Sequence, residues 1–173
     1  MIDAALQGNV DAFQTLFERY WPMAMGVALS VCSDRHLAED AAQEAFAQAA
    51  RQLTTLHDRQ RFPQWLRTIC RRTGSRVRRR QQPFIALQTE TPAPDSTQNE
   101  SRTATLRTAM QQLDDDAREL LVLRYFSEMS HDEIARTLKT TSASIHGRLQ
   151  RARRKLTTIL GREFSTGDAH VCE

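Results

Sequence analysis

Apolar positions along the chain recur at helical spacing. Ala12, Phe13, Leu16 and Phe17 share one face between Asp11 and Tyr20, and Pro22 is expected to restart a helix that runs to about Cys32. Ser33 and Asp34 punctuate it. From about His36 to Leu53 the apolar residues fall at 37, 38, 41, 42, 45, 46, 49 and 53, a stripe wide enough to require a neighbour. The opposite face carries Asp40, Gln43, Glu44 and Gln48. After a loop around Thr54 to Gln60, a fourth helix is predicted from about Phe62 to Arg80, with Trp65, Leu66, Ile69, Cys70 and Val77 inward. Residues 1–82 thus make one small helical domain.

The pattern then breaks. PFIALQTETPAPDSTQNES, residues 83–101, holds three of the five prolines and many small polar side chains, so it cannot bury enough apolar area to fold alone and is expected to be a flexible linker. Fully extended at ~3.3 Å per residue it would reach roughly 60 Å, or about 18 base pairs of DNA. Periodicity resumes with a helix from about Thr103 to Gln112 and another from about Asp114, where Asp114, Asp115 and Asp116 suit the positive end of a helix dipole. A short helix is predicted from Ser130 to Leu138 and a long one from Ser142 to about Phe164. Residues 102–164 form the second domain, and 165–173 a frayed tail.

Composition supports an all-α fold of two small helical domains. Aromatic residues make up only 6% of the chain and Gly and Pro are few, which favours helices over sheets. The net charge of +3 conceals an uneven distribution. Residues 1–82 carry 12 basic and 8 acidic side chains, and residues 102–164 again 12 and 8; the acids of 83–101 stand between them without a single base. Two basic blocks suit two contacts with a polyanion, and equally suit solvated surface.

The second half contains a recognisable device. Ser130-His131-Asp132-Glu133 has the spacing of a capping box, Ile134, Ala135 and Leu138 face inward, and Lys139-Thr140-Thr141 is a tight connector. Ile145, Leu149, Ala152 and Leu156 then repeat at three and four in the next helix. The order is that of a helix-turn-helix. The exposed face of its second helix offers His146, Arg148, Gln150, Arg151, Arg154 and Lys155, residue types able to read base edges or hold phosphates.

In the first half, Asp40 and Glu44 lie one helical turn apart and can present paired negative charge, although spacing alone also fits a solvated face. Nine arginines and no acid occupy 59–80, interleaved with Phe62, Trp65 and Ile69. Cations beside aromatics suit single-stranded DNA, whose phosphates need charge and whose bases need flat surfaces. Aromatics at this spacing also serve as core, the reading preferred for Trp65 and evenly balanced for Phe62.

LDDDARELLVLRYFSEMSHDEIARTLKTTSASIHGRLQRARRKL resembles the fourth conserved region of extracytoplasmic-function sigma factors of the sigma-70 superfamily. That resemblance implies a domain that binds the minus 35 promoter element, and by position it assigns DNA contacts to Ser142, Ser144, His146, Arg148, Gln150 and Arg151. AEDAAQEAFAQAARQL, residues 38–53, is similar to the second conserved region, implying that Asp40, Gln43 and Glu44 dock on core RNA polymerase. FPQWLRTICRRTGSRVRRR resembles the segment that opens and reads the minus 10 element, implying contacts by Phe62, Trp65, Arg71, Arg72, Arg76 and Arg79. The chain departs from the family pattern at several places. Lys139 replaces a turn glycine, Thr140 an apolar residue, Asp114 a proline, and Arg72 and Arg76 the usual Asn and Asp. A lysine in a turn that demands positive φ is strained.

The resemblance further implies promoter DNA and core polymerase as partners, and an anti-sigma protein as a third. No Gly-rich phosphate loop, nucleophile elbow or paired metal-binding histidines occur, so neither catalysis, cofactor nor metal is expected. Cys32, Cys70 and Cys172 are unpaired in spacing, fitting a reducing cytoplasm. His170 and Cys172 supply too few ligands to close a tetrahedral site. No apolar run approaches the ~18 residues of a membrane span. Two rival classes stand beside the sigma-factor reading: a stand-alone helix-turn-helix regulator and a protein-interaction adaptor with a solvated basic surface.

Overall fold

The computed structural model describes the backbone of residues 1–85 and 98–167, and the side chains of residues 1–81 and 102–162. Among the described residues there are eight α-helices and no strand: α1 (Ile2–Leu6), α2 (Val10–Cys32), α3 (Arg35–Gln52), α4 (Phe62–Ile85), α5 (Gln98–Gln111), α6 (Asp115–Tyr125), α7 (His131–Leu138) and α8 (Ser142–Gly167). Two 3-10 turns, Leu53–Thr55 and Arg59–Arg61, join α3 to α4.

Helices α2, α3 and α4 pack mutually into the first domain. Ala38, Ala41, Ala42, Ala45 and Ala49 give α3 a thin buried face against which α2 and α4 pack. Phe17, Trp21 and Phe46 cluster at one end, with ring centroids 4.7 to 6.1 Å apart, and Tyr20, Phe62 and Trp65 form a second aromatic chain. The helix starts are set by side chains. Asn9 accepts the amide of Ala12 and Asp34 that of Leu37, each satisfying a donor the helix leaves orphaned.

The expected break at Pro22 does not occur. Pro22 lies inside a continuous 23-residue α2. A proline costs its helix one amide donor, and here packing outweighs that loss, since seven of the residues from Met23 to Cys32 are fully or nearly fully enclosed hydrophobic or glycine positions. Pro63, by contrast, occupies the first turn of α4, where a missing N–H is harmless. Helix α1 was not foreseen; it is pinned by Asp3, which pairs with Arg59 at 2.8 Å.

The second domain follows the expected order, with boundaries displaced. Helix α5 begins at Gln98 and α4 continues to Ile85, so both ends of the expected 83–101 linker are helical and its centre lies outside the described residues. Helix α8 continues through Gly167, into the segment expected to be frayed. His170 and Cys172 lie outside the described residues.

The two halves do not stand apart. One buried apolar cluster runs from Leu16 in α2 to Ala152 in α8, and α2 packs on α6 while α4 packs on α7. Arg118 stitches the seam: it is 8% exposed and donates to the carbonyls of Met110, Gln111 and Leu113 at the end of α5 and to Ser30 O in α2. One guanidinium thereby satisfies orphan carbonyls from two domains.

Candidate nucleic-acid and polymerase interfaces

The turn of the second domain is assembled by caps. Asp114 accepts the amide of Ala117 at 2.8 Å and a 2.6 Å bond from Lys155 Nζ, and the lysine bond, then the amide, hold its carboxyl below the usual range. Ser130 and Glu133 complete the predicted capping box: Glu133 N donates to Ser130 Oγ, and Ser130 N donates to Glu133 Oε2 at 2.8 Å. That backbone bond is the main reason the Glu133 carboxyl is held low. Lys139 adopts φ 53° and ψ 50°, so this lysine does take the left-handed conformation that glycine adopts without strain. Thr141 Oγ1 accepts the amide of Ser144 as α8 begins.

Buried Ile134 and Ala135 of α7 face Ile145, Leu149 and Ala152 of α8, which fixes the angle between the two helices. The other side of α8 is open. Ser144, His146, Gln150 and Arg151 are exposed, whereas Ser142 and Arg148 are half-buried. Arg148 Nη2 lies 4.0 Å from Asp116, and the His146 ring stands edge-on to His131.

In the first domain α3 presents Asp40 and Gln43 to solvent. Glu44 is half-buried and paired with Arg76 of α4, so the two expected carboxylates differ in availability. Along α4, Arg72, Arg76 and Arg79 are exposed. Phe62 is fully buried against Tyr20 and Trp65 and has no face free for a base, so the expectation of a DNA contact there gives way to a core role. Trp65 is half-buried and borders a cleft of about 420 Å³ with Leu56, His57, Arg61, Gln64 and Arg67. Across this cleft stand Thr137, Leu138 and Lys139 of the second domain.

Arg71 is half-buried, with Nη1 at 3.1 Å from Glu119 and 3.5 Å from Asp116. Arg67 binds Glu119 with two bonds of 2.6 and 2.8 Å. Sequence reasoning overlooked Glu119 and Arg67. A signal was present, since Glu119 stands directly before the apolar run Leu120 to Leu123 and one turn from the buried Leu123, a place where an acid needs a partner. Cys32 and Cys70 are buried, and burial pushes their thiols up to about 11 and about 12, which makes them unreactive. Among the described residues no group of three or more metal-ligating side chains occurs, and no helix is long and apolar enough to cross a membrane.

A domain with an acid-bearing helix beside an arginine helix, joined to a capped helix-turn-helix, matches known families in both halves. Residues 16–84 match the Sigma-70 region 2 model and residues 103–156 the Sigma-70 region 4 model. RNA polymerase sigma factor CarQ of Myxococcus xanthus is 32% identical over 161 residues, covering 89% of this chain and 92% of that protein. The chain belongs to the extracytoplasmic-function group of sigma-70 RNA polymerase sigma factors. A probable RNA polymerase sigma factor, RfaY of Xanthomonas campestris, is 33% identical over 153 residues; the match takes in 81% of this chain and only 38% of that longer protein. The fold is also that of the Bartonella quintana sigma factor RpoE, solved in complex with the anti-sigma factor NepR, with TM-score 0.57, 23% identity and coverage of 88% and 98% of the two chains. In this sigma factor α2 to α4 are region 2 and α5 to α8 region 4.

Proposed function

We propose that this sigma factor directs core RNA polymerase to promoters through two surfaces on separate regions, taken as residues 1–82 and 102–164. Region 2 docks on the polymerase through Asp40, Gln43 and Glu44 of α3. The arginine face of α4, with Arg71, Arg72, Arg76 and Arg79, holds the phosphates of the melted minus 10 strand, and Trp65 at the cleft offers a stacking surface. Phe62 supports Trp65 from behind. Region 4 lays α8 in the major groove of the minus 35 element, where Ser142, Ser144, His146, Arg148, Gln150 and Arg151 meet bases and phosphates.

The observation that carries this reading is the pairing of an open, cation-lined face on α8 with a second arginine face on α4, a helix that has no acid of its own. A self-sufficient repressor needs only the first. The polymerase performs the chemistry, and the sigma factor has no enzymatic activity of its own. It works in the cytoplasm, where polymerase and promoter are. An anti-sigma protein is a further partner, a reading supported by the complex in which the similar Bartonella protein was solved.

In vitro transcription with core polymerase and a promoter library tests the assignment. Wild type should start at specific promoters. Asp40→Ala/Glu44→Ala should lose binding to core polymerase, while Arg148→Ala should keep it and lose about tenfold or more at minus 35, the cost of one good base contact. If wild type, free of any anti-sigma protein, starts no promoter-specific transcript, the proposal fails. Tight duplex operator binding without polymerase would favour the stand-alone regulator instead.

A further inference from the structure

We propose that region 4 is folded back as an intramolecular blocker of the strand-binding face of region 2, with Glu119 occupying the place of a DNA phosphate. The inference rests on the reading of α4 as the minus 10 surface. Glu119, 2% exposed, is held by Arg67 through two parallel bonds of 2.6 and 2.8 Å and by Arg71 at 3.1 Å. Both arginines belong to α4 of region 2, and the acid belongs to α6 of region 4. Two oxygens of one anion in a fork of guanidinium groups make the contact that a phosphate also makes, so carboxylate and nucleic acid compete for the same donors.

The seam has a second, independent mark. Gly26 lies in the middle of α2, where glycine weakens a helix. A Cβ at that position would collide with Ser127 Oγ, which donates to Pro22 O at 2.7 Å, and the next nearest atoms also belong to region 4. The missing side chain therefore serves the docking of region 4 and not the interior of region 2. Gln64 adds a bond from Nε2 to Arg136 O at 2.8 Å, and Asp116 reaches both Arg71 of α4 and Arg148 of α8. One region 4 carboxylate thus engages a cation from each proposed DNA surface.

In the docked form the two DNA surfaces belong to one body, and Arg67 and Arg71 are occupied. Strand binding needs the regions to separate, which lowers the apparent affinity by the fraction of chain that is open. Removing the Glu119 charge leaves Arg67 without a counter-charge at the seam and Arg71 with only the longer 3.5 Å pair to Asp116, so the docked form loses most of its electrostatic hold. Within region 4 Glu119 makes no side-chain ion pair among the described residues, so its loss spares that fold.

The test compares the full chain as wild type, Glu119→Gln and Gly26→Leu without polymerase. Small-angle X-ray scattering reads the radius of gyration, and fluorescence anisotropy reads binding of a labelled single-stranded oligonucleotide of mixed sequence. Both variants should expand and bind the oligonucleotide at least about fivefold more tightly. Circular dichroism checks helix content, and if one variant loses it the other carries the result. Unchanged size and affinity overturn the proposal, as does expansion without tighter binding. Transcription with core polymerase separates the two readings: promoter-specific transcripts together with equal oligonucleotide affinity in all three proteins sink the blocker alone, whereas absence of specific transcripts from wild type sinks the functional assignment.

Discussion

Region 2 buries long helices against one another, with the alanines of α3 thinning the contact and two aromatic clusters filling its ends, whereas region 4 closes around leucine and isoleucine side chains and fastens its turns with polar caps. Three of the four region 4 helices have 14 residues or fewer, too short to persist without tertiary support. Both regions cap their helices, but each cap counts for more in region 4, where the helices it closes are shorter. The difference follows the work proposed for each region. A strand-opening surface needs a rigid helix to carry its arginines, while a groove-reading helix needs its angle set by a turn.

The comparison can be broken most forcefully in region 2. Phe62→Ala should cost about 3 to 4 kcal/mol, because a fully buried ring leaves a cavity between Tyr20 and Trp65. Both tryptophans of the chain, Trp21 and Trp65, lie in region 2, so urea unfolding followed by tryptophan fluorescence reads that region directly. A loss below about 1 kcal/mol would mean that the ring is not central to the packing.

Smaller effects are expected at the turn of region 4. Ser130→Ala should cost about 1 kcal/mol by removing the capping hydroxyl. Lys139→Gly should gain about 1 kcal/mol, since glycine takes the observed positive φ without strain. Far-UV circular dichroism follows both. If Ser130→Ala also displaces the tryptophan transition, the docked seam couples the regions; if it does not, they unfold separately. A destabilising Lys139→Gly would show that the lysine side chain contributes more than its backbone costs.

The smallest effect is in acid. Glu133 and Asp114 have carboxyls held below their ordinary values in the fold, so their contribution is complete above the unfolded pKa and is lost as pH falls through the folded one. Region 4 should lose cap stability only below the ordinary carboxylate range, and Glu133→Gln should flatten that acid limb in thermal melts. A loss beginning near neutrality would point to other groups.

Local signals were legible where one segment contains its own explanation. The capping box at Ser130 and Glu133, the positive φ at Lys139 and the open face of α8 all follow from residues within a few positions of one another. Phe62 was balanced between core and surface in the sequence, because helical spacing does not say which of two adjacent faces a neighbour covers; Tyr20, 42 positions earlier, decides it. Pro22 was misread for a similar reason. Its local cost is real, and only the packing of α2 on α3, α4 and α6 shows what offsets it.

By itself, the sequence determined the helical class, the two basic blocks, the helix-turn-helix and the family, since these rest on periodicity, composition and short motifs. Tertiary structure alone decided that the regions are docked, that Glu119 fills the fork of Arg67 and Arg71, and that Gly26 makes room for Ser127. These contacts join residues 48 or more positions apart. Periodicity shows that an arginine is exposed on its own helix, but its partner depends on which surface the rest of the chain brings against it.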